Sequence, residues 1–138
     1  MKEIYHDLKR NISINVADYT STQTGTSVDV MGYNEALIII PIGAVAIADA
    51  SNFFTFSLTE SADNSSFTAV ASTDIVVESD DWDMIINATA EANAIKAFSW
   101  KRSVAGSRYI KVVATETLTA QAIFGAYVFL SGGNKPTY

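Results

Sequence analysis

The chain has 138 residues, with 9 Lys plus Arg against 15 Asp plus Glu, and no cysteine. That length suits one domain with a core of its own, and the missing cysteines exclude a disulfide framework, a thiolate nucleophile and a cysteine zinc site. The formal charge of −6 repels a phosphate backbone, so direct nucleic-acid binding is not expected.

Residues 1–10 (MKEIYHDLKR) are charged and have no apolar centre, so they read as an N-terminal arm and not as a secretory leader. Tyr5, Asp7, Lys9 and Arg10 are its candidate partner contacts. His6 is the sole histidine, and an arm does not hold a histidine rigidly between a nucleophile and an orienting carboxylate. In the ISINV stretch Ile12, Ile14 and Val16 alternate, which predicts one face of a strand. Residues 20–27 are polar and read as a loop, after which Val28 and Val30 begin a short strand.

Residues 36–42 (ALIIIPI) are apolar on both faces of a strand. Pro41 has no N–H to donate, which predicts an edge or a bulge there. The surrounding apolar run, residues 36–48, falls short of the ~20 residues of a membrane-spanning helix, so no membrane partner is expected. In residues 52–59, Phe54, Phe56 and Leu58 face one way, and residues 61–66 (SADNSS) turn the chain into a partner strand at 67–70. A short strand at 74–78 follows.

Glu78, Asp80, Asp81 and Asp83 form the densest acidic run. Carboxylate oxygens suit Ca²⁺, but the run lacks the EF-hand spacing, and a solvated loop is the plainer reading. Residues 88–97 are Ala-rich and read as one or two helical turns or a loop, with a strand at 97–101. Residues 108–115 place Ile110, Val112 and Ala114 inward, residues 116–119 turn, and residues 121–130 form the last strand before a tail at 132–138.

Short strands between polar turns predict an all-β chain: a single antiparallel β-sandwich or jelly-roll-like domain over residues 1–138. Two strands, 36–42 and 122–130, are apolar on both sides, whereas an outer strand of a sandwich normally has one wet face. Something must cover the second face, and another copy of the chain is the economical cover. The candidate interface residues are Leu37, Ile38, Ile39, Ile40, Ile123, Tyr127 and Phe129. Trp82, Trp100, Tyr109 and Tyr127 could line a sugar-binding platform, although aromatics in a β domain more commonly fill cores and interfaces. No P-loop, G-x-S-x-G, H-E-x-x-H or dinucleotide fingerprint is present, so neither an enzyme nor a cofactor is expected.

Several stretches resemble small virion structural proteins of tailed bacteriophages. The segment Phe56-Ser-Leu-Thr-Glu-Ser-Ala-Asp-Asn-Ser-Ser-Phe-Thr-Ala-Val70 resembles the L-x-E-S-x-D-N-x-x-F-x-x-V hairpin of that group. Gly106-Ser-Arg-Tyr-Ile-Lys-Val112 resembles its G-x-R-Y strand, and the opening Met1 to Leu8, Gly32-Tyr33 with the strand after it, and the ending from Gly125 to Gly133 are similar too. Residues 73–100 have no counterpart in that pattern. The resemblance implies a head decoration or cement protein, made in the host cytoplasm and carried on the capsid surface. Such proteins bind the major capsid protein, often as trimers. A neck, tail or fibre-associated protein is the alternative within the virion, and a carbohydrate-binding β-sandwich the alternative outside it.

Overall fold

The computed structural model describes residues 9–77, 83–103 and 106–131. Two antiparallel sheets pack face to face, as the alternating strands predict. The five-stranded sheet comprises β1 (Lys9–Tyr19), β4 (Glu35–Ile47), β7 (Ile75–Val77), β9 (Ala94–Lys101) and β11 (Gln121–Ser131), in the order β1-β11-β4-β9-β7. The six-stranded sheet runs β2-β10-β5-β6, from β2 (Gln23–Thr24), β10 (Tyr109–Thr117), β5 (Phe53–Ser61) and β6 (Thr68–Ala69). In addition, β3 (Val28–Asp29) pairs with β10, and β8 (Ile85–Ile86) pairs with β5.

Period-two alternation builds the core between the sheets. Phe54, Phe56 and Leu58 of β5 and Ile110, Val112 and Ala114 of β10 point inward from one sheet. Ile38, Ile40, Phe98, Trp100, Phe124, Val128 and Leu130 meet them from the other. Phe124 is the hub: its ring lies 4.9 Å from Phe54 and 5.1 Å from Phe56, both edge-on, and 4.9 Å from Tyr19. Burying one such side chain contributes about 1.5–3 kcal/mol. The expected hairpin is present, with Thr59 opposite Ala69 and Glu60 opposite Thr68. Asp63 organises its turn by accepting hydrogen bonds from the Ser65 and Ser66 amides, while Asn64 takes a positive φ of 60°.

Several expectations need correction. Lys9 and Arg10 do not belong to a free arm; they begin β1 and pair with Leu130 and Phe129. Ile12, Ile14 and Val16 do not share a face. Two register shifts interrupt β1 against β11, and they leave Ile14 buried while Ile12 and Val16 are about half exposed. Pro41 is not at an edge; it lies in β4, inside the sheet, opposite Ile95. A register shift just beyond it, between Phe124 and Ala122 on β11, is the local irregularity. The Ala-rich stretch holds a single 3-10 turn, Thr89–Glu91, and β9 begins at Ala94, three residues before the predicted strand. Asp74 belongs to a second 3-10 turn, Ser72–Asp74, and accepts a hydrogen bond from the Ser103 hydroxyl.

The irregularity in β1 has a purpose in the packing. It turns Ser13 inward, where Oγ donates to the Thr26 carbonyl at 2.9 Å and accepts from the Val112 amide at 3.1 Å. The Ser13 carbonyl also accepts from the Thr26 amide at 2.7 Å. One serine of the five-stranded sheet thereby satisfies a backbone group of β10 and one of the segment between β2 and β3, and closes that side of the sandwich. Gly25 and Gly125 make the approach possible. A Cβ on Gly25 would strike Ser13 Oγ, and one on Gly125 would lie 2.6 Å from Val16 Cγ2.

Candidate interaction surface

Because β4 is the central strand of the five-stranded sheet, its residues 35, 37, 39 and 41 and their cross-strand neighbours define that sheet's outer face. The registers align them in rows. Arg10, Phe129, Leu37, Ser99 and Val76 form one row across all five strands. Ile12, Tyr127, Ile39 and Ala97 form the next. Pro41 and Ile95 follow, and Asp18 opposite Ile123 lies beyond them. At the other end Ser131, Glu35 and Lys101 make a polar rim.

Aliphatic side chains on this face meet solvent. Ile95 is 75% exposed, Val76 57% and Ile12 52%, with Leu37 exposed as well. Such residues are ordinary when scattered, but contiguous apolar area on a sheet face marks an interaction surface. Near its edge a shallow depression is lined by Arg10, Asn11, Ile12, Tyr127 and Phe129.

The expected interface residues divide cleanly. Leu37, Ile39, Ile123, Tyr127 and Phe129 stand on the outer face. Ile38 and Ile40 do not: both are fully buried between the sheets, because neighbouring residues of a strand point to opposite sides. Ile12, Val76 and Ile95 belong to the surface but were not among the expected residues. Their signal was weak: Ile12 read as core in an alternating run, Val76 sits in a short strand, and Ile95 is the lone large aliphatic in an Ala-rich stretch.

The outer face of the six-stranded sheet is of another kind. Thr55, Ser57 and Thr59 of β5 stand beside Thr115, Val113 and Lys111 of β10. Lys111 Nζ lies 3.8 Å from the centre of the Phe67 ring. At the end of this sheet Arg108 pairs with Asp29 at 2.9 Å. The hydrogen bond from Arg108 holds the Asp29 carboxyl below the usual carboxylate range, against a smaller opposing effect of burial.

The chain matches no family model and no curated protein at significant similarity. The alternative of a sugar platform does not assemble from its described members, and the core role preferred for these aromatics holds for Trp100. Trp100 is buried in the core, and Tyr109 and Tyr127 stand on the outer faces of opposite sheets. Trp82 lies outside the described residues, as do Tyr5, Asp7, Glu78, Asp80 and Asp81. Asp83 is exposed, and among the described residues no three His, Cys, Asp or Glu side chains gather as metal ligands. No helix among the described residues is long and apolar enough to cross a membrane.

The described residues at the centre of the apolar face are Leu37, Ile39, Tyr127 and Phe129. Its capacity is association: it can release water over a broad flat area and fix a register through the charges at its margin.

Proposed function

We propose that this chain is a structural subunit of a tailed-phage virion, a decoration or cement protein on the capsid surface. The observation that supports this reading is the apolar outer face of the five-stranded sheet, which suits a chain that works inside an assembly. The hairpin and G-x-R-Y resemblances supply the kind of assembly. A cement protein acts by binding the assembled shell better than its free subunits, so mass action stabilises the shell. Many copies, each bound modestly, suffice when an oligomer engages several lattice points at once. The partners under this proposal are the major capsid protein and further copies of the chain.

The test is the copy number of the chain in purified particles, measured by quantitative mass spectrometry against the major capsid protein. A simple ratio to the capsid protein is expected. A count of about a dozen, the order of a ring at one vertex, would move the protein to the neck or tail, and its absence from particles would end the virion proposal. Truncation can then map the docking segment, but it must stop before Lys9, since Lys9 and Arg10 are part of β1.

A further inference from the structure

We draw no further inference here: the strongest candidate, the apolar outer face of the five-stranded sheet around Leu37, Ile39, Tyr127 and Phe129, carries none because nothing in the structure shows what covers it.

Discussion

The two outer faces of this sandwich are built on the same alternation and differ in chemistry. On the six-stranded sheet, Thr55, Ser57 and Thr59 stand beside Thr115, Val113 and Lys111, with Phe53 and Ile85 at one end. On the five-stranded sheet, Leu37, Ile39, Tyr127, Phe129 and Ile95 occupy the equivalent outward positions. Both inner faces are largely apolar, so the core does not account for the difference. A sheet that needs only to fold can afford polar outward residues, and the six-stranded sheet has them. Outward aliphatics on the five-stranded sheet add nothing to the monomer's core and increase its tendency to associate. The lesson is that folding and association are written on alternate residues of the same strands.

The sharpest way to break this comparison is on β4 itself. Ile38→Asp should unfold the protein, with a loss of more than about 4 kcal/mol, because an unpaired carboxylate would be forced into the core. Ile39→Asp, one residue along, should change monomer stability by less than about 1 kcal/mol in chemical denaturation. Equal losses in the two variants would show that both sides of β4 are core, and the two-face account would fail.

The join between the sheets comes next. Gly125→Val should cost about 1–3 kcal/mol, the usual penalty for overpacking, since its first side-chain atom would already crowd Val16 and the Ile14 carbonyl. Ser13→Ala should cost about 1–3 kcal/mol, because the Val112 amide loses its partner in a buried site. Urea midpoints measure both, and a neutral Ser13→Ala would mean the staple is dispensable.

On the polar face, Ser57→Lys should shift stability by no more than about 0.5 kcal/mol and leave the oligomeric state unchanged. Loss of self-association in that variant would reverse the assignment of the two faces. The smallest expected effect is on pH. Asp29 is held below the usual carboxylate range by the hydrogen bond from Arg108, and Asp63 by the amides of Ser66 and Ser65. Their contributions are present above the unfolded pKa of about 3.9 and fade as pH falls through the lower folded values. Melting temperature should therefore stay level from pH 7 to about 5 and begin to fall below about 4, with Asp29→Asn removing part of the slope. Both groups belong to the six-stranded side, so acid should loosen that sheet first, as amide exchange would reveal.

How much of this was legible in the sequence depends on the range over which each signal is set. Alternation in β5 and β10 predicted the buried sides of those strands, because each residue's side is fixed by its immediate neighbours, whereas β11, apolar on both sides, gave no such signal. The hairpin turn was legible from Asp63 and Asn64 for the same reason. The β1 shifts were not. Whether Ile12 points in or out depends on Gly125 and Val112, residues far along the chain that admit Ser13 between the sheets. Four consecutive aliphatics, Leu37 to Ile40, announced a second apolar face, but which two belonged to it depends on the register with β9 and β11. Pro41 pointed to an edge or a bulge; the register with β11 does shift just beyond it, while the strand itself is central, which its immediate neighbours do not reveal.

The pairing of β1 with β11 also sets a timetable for synthesis. Both neighbours of β11 in the sheet, β1 and β4, emerge from the ribosome long before it, and β4 has its other neighbour, β9, only after residue 94. Until then the aliphatic run of β4 has no strand on either flank. The Ser13 link to Val112 spans 99 residues, and chains dominated by such distant pairings fold in about milliseconds to seconds. Nascent copies are thus uncommitted for most of their translation, and the sheet with the apolar outer face is completed last.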